Sequence, residues 1–113
     1  MSDCLFCRIV SGEIPTQTVA ENDHALAFRD ISPQAPTHVL VIPRTHLASA
    51  AELEAGHSAA LSAIFALAAE VARQEKLDQG WRLVTNVGAH GGQTVPHLHF
   101  HLLGGRALQW PPG

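Results

Sequence analysis

Basic charge is what this sequence most lacks. Seven lysines and arginines stand against ten aspartates and glutamates, a formal charge of −3 with histidine neutral. That balance offers no broad positive face, so long nucleic acids are not expected partners. No apolar run reads as long enough to span a bilayer. The start, Met1-Ser2-Asp3-Cys4, lacks the basic residues and apolar stretch of a secretory signal, so a cytoplasmic location is expected. Cysteine is scarce. Cys4 and Cys7 are the only two, and a structural disulfide between them is not expected in a reducing compartment. No repeat and no linker interrupts the 113 residues, which read as one domain, 1–113. With 46% apolar residues, that domain can bury a core.

Histidine is in excess, eight in all. Three alternate with apolar residues in His97-Leu98-His99-Phe100-His101, ahead of Leu102-Leu103. Strict alternation is the period of a β-strand. Leu98, Phe100 and Leu102 should face a core, and the imidazoles should point the other way in a row. Next neighbours on one strand face lie ~6.6–6.8 Å apart. Such a row can hold a metal, since neutral imidazole suits zinc, copper, iron or nickel. It can also divide the parts of nucleophile, proton donor and phosphate binder. The preceding Gly91-Gly92-Gln93-Thr94 favours the second use. It offers backbone N–H groups without Cβ obstruction, an amide and a hydroxyl, all suited to phosphate oxygens. Imidazole attacks phosphorus as a neutral nucleophile and leaves again readily, splitting one hard displacement into two easier ones. The attacking nitrogen must be unprotonated, so the other must donate to a fixed acceptor.

The other segments read in order. Cys4 to Val10 should be a short helical turn ended near Ser11-Gly12. Thr18–Ala20 and Ala25–Phe28 should pair as a hairpin across Asn22-Asp23. Two prolines keep Asp30–Pro36 irregular. His38–Ile42 is a β-branched run closed by Pro43, hence a buried strand. Thr45 could cap a helical turn through Ala50. A long helix should run from Glu54 or Ala55 to Gln74 or Lys76, with Leu61, Ile64, Phe65, Ala68 and Val71 as its stripe. Leu67 falls outside that stripe and implies a second apolar face suited to a subunit contact. Trp81–Asn86 should be a strand, Ala89–Gly92 a glycine-rich loop and Arg106–Gly113 an irregular tail. The sum is an α+β domain with a mainly antiparallel sheet and one long helix on one face.

Several residues keep more than one reading. His38 opens a buried strand and is ordinary there as a structural histidine. Asn86 can end its strand as a turn former. Asp30 can accept ribose hydroxyls or form a turn. Cys4-Leu5-Phe6-Cys7 can be two ordinary thiols, a redox pair, or half of a zinc site, since C-x-x-C presents two thiolates to one ion. In the last case His46 and His97 are the candidate remaining ligands. His24, His57 and His90 sit in turn-like or polar settings and read as solvated.

These residues together resemble the histidine triad (HIT) family, and within it the Hint branch. The family motif, three histidines alternating with apolar residues and followed by two more apolar positions, is matched throughout by His97 to Leu103. The likeness extends over Gly12–Pro15, Phe28–His38, Gly91–Gln93 and Leu103–Gly113. It implies a five-stranded, mainly antiparallel sheet with one long helix and a short N-terminal helix. It implies a homodimer, binding of purine nucleoside monophosphates, and hydrolysis of nucleoside 5′-phosphoramidates. His99 resembles the nucleophile that becomes nucleotidylated, and His101 the phosphate contact and leaving-group acid. His38 resembles a further catalytic histidine, and His97 a residue that assists the departing amine. Asn86, Gly92, Gln93 and Thr94 resemble the phosphate side, Asp30 the ribose acceptor, and Phe6, Phe28 and Ile31 the base contacts. Trp110 resembles a tail residue that reaches the partner's site. Some members hold structural zinc, and Cys4, Cys7, His46 and His97 match their ligand pattern. The rival readings are a nucleotide-binding regulatory protein with incidental hydrolysis and a dinucleoside polyphosphate hydrolase. No metal is required for the chemistry on any of the favoured readings, and no membrane is involved.

Overall fold

In the computed structural model, which describes residues 3–113, the chain forms one five-stranded antiparallel sheet between two unequal helices. The elements are α1 (Leu5–Val10), β1 (Thr18–Glu21), β2 (Ala25–Arg29), β3 (Thr37–Pro43), α2 (Ser58–Gln74), β4 (Trp81–Thr85), α3 (Gly88–Gly91) and β5 (Phe100–Gly104). The strand order is β1-β2-β3-β5-β4, so the chain's last strand lies between β3 and β4. The fold class is the α+β arrangement the sequence implies.

Both faces of the middle strands are covered, which is why β3 reads as an unbroken apolar run rather than an alternating one. On one face Ala25, Ala27, Val39, Val41, Phe100 and Leu102 meet Ile64, Leu67, Ala68 and Val71 of α2. The alanines of β2 let the helix approach closely. On the other face Leu26, Phe28, Leu40 and Ile42 pack with Phe6 of α1. His38 and His101 share that second face. His38 is opposite Leu103 and His101 opposite Leu40, so the two histidines are diagonal neighbours across β3 and β5.

Four expectations need correction. The stripe of α2 is rotated: Leu67 is 1% exposed and belongs to the core, whereas Phe65 is 51% exposed. Leu67 stands three residues from Ile64 and four from Val71, so it shares their face. Thr45 caps nothing; the turn that forms is Ala50–Glu52, capped by the Ser49 hydroxyl accepting from Ala51 N–H at 3.1 Å. Gly88–Gly91 is a helical turn, not open loop, and Gly92 closes it with φ +84°, a conformation that suits glycine. Finally, Ala55–Gln74 is long and apolar enough by length and composition to cross a membrane. Its alanines raise the hydropathy without forming an unbroken apolar run, and its Ile64–Val71 face is buried on the sheet.

Candidate active site and metal centre

Phe28 and Leu40 of the sheet, Leu5, Phe6 and Ile9 of α1, Ile14, Pro15 and Val95 form the apolar wall of a cavity of about 370 Å³. Its polar rim carries Thr16, Arg29, Asp30, Thr94, His99 and His101. Of the expected nucleotide residues, Phe6, Phe28, Asp30, Ile31, Thr94, His99 and His101 border this one space. Ile31 is 99% exposed at its mouth. Asn86 borders a smaller hollow of about 230 Å³ with His38, and His101 lines both spaces. Nothing in the sequence marks Leu5, Ile9, Leu40 or Val95 as residues of the site. Each is an ordinary apolar residue whose place on the wall is decided by tertiary packing. Trp110 is 79% exposed and lies against Arg82, away from the cavity.

The histidine segment keeps its alternation although the ladder begins only at Phe100. Leu98, Phe100 and Leu102 enter the core under α2, as expected. The His99 and His101 rings lie 5.0 Å apart on the other side. His99 Nδ1 is 2.7 Å from the His97 carbonyl oxygen. A carbonyl can only accept, so Nδ1 carries the proton and Nε2 keeps its lone pair. The His101 ring is set by a longer chain. The Gln34 backbone N–H donates to His38 Nδ1 at 3.0 Å. An amide N–H can only donate, so the neutral His38 ring carries its proton on Nε2. That nitrogen is 2.9 Å from His101 Nδ1, and 3.4 Å from Asp30 Oδ2. His101 Nδ1 therefore accepts, and His101 presents Nε2–H as a donor.

Burial lowers the His38 pKa, against the opposing pull of Asp30. His101 is pushed down to about 4, by burial first and then by His99 and His38, with Asp30 pulling the other way. Both rings are neutral at neutral pH. Asp30, His38 and His101 come close enough to be taken for a metal site. The proton on His38 Nε2 makes that nitrogen a donor and argues against it.

Gln93 does not offer its amide to a ligand. Its Nε2 donates to the carbonyls of Ala48 at 2.7 Å and Val95 at 3.0 Å, and its Oε1 accepts from Gly88 N–H at 3.1 Å. Its own backbone N–H goes to Gly88, and that of Gly92 to Ala89. The side chain fixes the loop that carries Thr94.

His97 is fully buried and is not part of the cavity. Its Nε2–H donates to the Pro43 carbonyl at 3.1 Å, which leaves Nδ1 unprotonated. That nitrogen is 3.3 Å from Cys4 Sγ, 3.5 Å from Cys7 Sγ and 3.2 Å from His46 Nδ1. Cys7 Sγ is 3.3 Å from His46 Nδ1. Tetrahedral zinc, with Zn–S of ~2.3 Å and Zn–N of ~2.0–2.1 Å, sets its ligand atoms roughly 3.3–3.8 Å apart. The four donor atoms lie within 4.8 Å of one another, so the group fits such an ion. Burial lowers the His97 pKa, which keeps the ring in the neutral form a metal needs. The carbonyl contact to its far nitrogen is the usual partner of a metal-bound imidazole.

A family model for the HIT domain matches residues 11–108. A purine nucleoside phosphoramidase of Escherichia coli is 46% identical over 94% of this chain and 90% of its own length. A 14 kDa zinc-binding protein of Zea mays is 47% identical over 99% of this chain and 89% of its own. The crystal structure of a HIT family hydrolase from Legionella pneumophila superposes with a TM-score of 0.95, at 51% identity, over 98% of this chain and 100% of that one.

Proposed function

The chain belongs to the HIT family, and from that premise we propose that it hydrolyses purine nucleoside 5′-phosphoramidates to the nucleoside monophosphate and an amine. The observation that carries this reading is the His99 ring, held by the His97 carbonyl with a lone pair left on Nε2, at a cavity of nucleoside size. The base lies against the apolar wall that Phe6 and Phe28 form together, and Asp30 accepts from the ribose. His99 Nε2 attacks phosphorus as the P–N bond breaks. The leaving nitrogen takes one proton, and His99 is left as a nucleotidyl-imidazolium whose Nδ1–H still points at the His97 carbonyl. Water then attacks the same phosphorus, and His99 departs as a neutral ring.

The proton given in the first step is returned in the second. We assign His101 to carry it, since its Nδ1 is taken by His38 and Nε2 is the nitrogen left for a ligand in the cavity. An anionic phosphoramidate beside that ring favours the charged form and raises its pKa above about 4. Thr94 and Asn86 supply further donors to the phosphoryl oxygens.

Turnover of adenosine 5′-phosphoramidate by the wild type and by His99→Ala tests the assignment. The variant is expected to lose at least ~10³-fold in kcat/KM. Intact mass of the wild type quenched during turnover is expected to show one nucleotidyl group. Equal rates for the two proteins would end the proposal.

The Cys4, Cys7, His46, His97 group is read as a structural zinc centre, supported by the fit of its donor atoms and by the name of the maize relative. The ion's part is to tie α1 to the start of the histidine segment; His97, as its ligand, does not meet the leaving amine. A homodimer joined through α2 and β4, with Trp110 of one copy at the other's site, completes the reading.

A further inference from the structure

We propose that the thiolate–imidazole cluster is a positioning element of the nucleotide site: closing it around its metal sets both the base-binding wall and the orientation of His99. The inference rests on the phosphoramidase reading for what His99 does, and on the structure for how the cluster reaches it.

Two routes lead from the cluster to the cavity. The first is the main chain of His97. Its ring belongs to the cluster, with Nδ1 at 3.3 Å from Cys4 Sγ. Its carbonyl accepts the His99 Nδ1–H at 2.7 Å. The residue that would be gripped by the metal is thus the one whose carbonyl fixes the nucleophile's tautomer. The second route is Phe6. It stands between Cys4 and Cys7 on α1, is 4% exposed, and contacts the His97 and His99 rings edge-on at 5.8 and 5.1 Å between centroids. The same ring meets Phe28 at 5.6 Å across the cavity wall.

The element that carries this wall cannot hold itself. α1 has six residues, well under the ~12–15 that an isolated helix needs to be even marginal in water. Leu5, Phe6 and Ile9 line the cavity, so one side of the base pocket is built on it. Cys4 also caps it, its sulfur accepting the Cys7 N–H at 3.4 Å. Cys7 reaches His46 on the segment after β3 at 3.3 Å. A metal drawing the four donors together fastens α1 to that segment and to His97 at once. Without it, the ring nitrogens of His46 and His97, 3.2 Å apart, are left to share a hydrogen bond, a weaker tie than a common metal.

The experiment compares the zinc-loaded protein, the same protein after chelation, Cys7→Ser, and Phe6→Ala in its zinc-loaded form. Zinc content is measured by elemental analysis in each. The readouts are the ¹⁵N shifts of the His99 ring, hydrogen exchange along the chain, and the Kd for adenosine monophosphate. Chelation is expected to move His99 from one tautomer toward a mixture, to speed exchange in α1 while α2 stays protected, and to weaken the nucleotide at least tenfold. Zinc should restore the chelated wild type and not Cys7→Ser. Phe6→Ala should keep its zinc yet weaken the nucleotide.

The proposal is overturned by a zinc-free protein whose His99 shifts are unchanged and whose Kd moves less than twofold. It is equally overturned if the protein takes up no zinc, or if chelation unfolds the α2 face together with α1. None of these readouts uses turnover. Loss of the phosphoramidase assignment would show as absent hydrolysis in zinc-loaded protein with an ordered His99, a distinct result.

Discussion

Three of the four imidazoles have their tautomer set by a neighbour with only one possible role. His99 and His97 donate to carbonyls, and His38 accepts from an amide. His101 is defined only through His38, so it should be the most responsive of the four. We expect its titration, followed by NMR, to sit near the value of about 4 in nucleotide-free protein and to rise when adenosine monophosphate binds. An unchanged value would remove it as the proton carrier. The same depression bears on stability. The folded His101 sits below the ordinary value of 6.5, so between the two values the unfolded chain binds more protons. Stability from this group is complete above about 6.5 and is lost as pH falls toward about 4, by ~3 kcal/mol at most. His38 acts in the same direction. Urea midpoints should therefore fall between pH 7 and pH 5, and His101→Gln should flatten that slope. Gln93 offers a separate test. Gln93→Glu removes the donors to Ala48 and Val95 while keeping the shape. It should cost ~1–3 kcal/mol and raise KM through Thr94, without touching phosphate itself.

At the scale of elements, α2 divides its apolar residues between the core and the outside, and the two sets should answer differently to truncation. Leu67→Ala opens a void under the sheet and is expected to cost ~2–5 kcal/mol in chemical denaturation. Phe65→Ala loses only a half-exposed ring that meets Phe100 at 5.6 Å, and should cost the folded monomer less. The opposite order would mean the helix is rotated back to the face its spacing implies. That rotation shows what the sequence could carry. The alternation of His97–Leu102 was legible because one face is core and the other is site, and the two were chemically distinct. The stripe of α2 was not, because Leu61, Phe65 and Leu67 are all apolar and periodicity alone cannot say which of them meets the sheet. The cavity wall was hidden for the same reason. Leu40 points into it from a strand buried on both faces, where Val39 and Val41 look no different. Cys4, Cys7, His46 and His97 were legible as a set because cysteine is so scarce here that two of them, three residues apart, demand an explanation. The bracing role of Gln93 is not legible in the sequence, since an amide beside two glycines looks alike whether it binds a ligand or braces a loop.

At the scale of the whole molecule, the proposed homodimer makes a prediction that joins assembly to activity. Leu61 and Phe65 border an open hollow of about 370 Å³ on the outer side of α2, with Ser58 and Ser62. β4 is an edge strand, and Trp81 at its start and Val87 two residues past its end are each 43% exposed. An edge strand beside an apolar helix face is a template for a second copy. Arg106 holds the start of the tail by donating to the Gln34 carbonyl at 2.9 Å, and Arg82 holds its end, donating to the Gln109 carbonyl at 3.0 Å and lying 5.8 Å from the Trp110 ring. Trp110 does not reach this chain's cavity, so any contribution it makes to a nucleotide site must be to another copy's. Light scattering at micromolar concentration should give the wild type twice the chain mass of 12.1 kDa. Phe65→Glu should shift it toward the single-chain mass. If Trp110 acts across the interface, Phe65→Glu and Trp110→Ala should lower kcat/KM to a similar degree, and the double variant should be little worse than either alone. Independent, additive losses would separate the tail from the interface, and a monomeric wild type with full activity would remove both from the reaction.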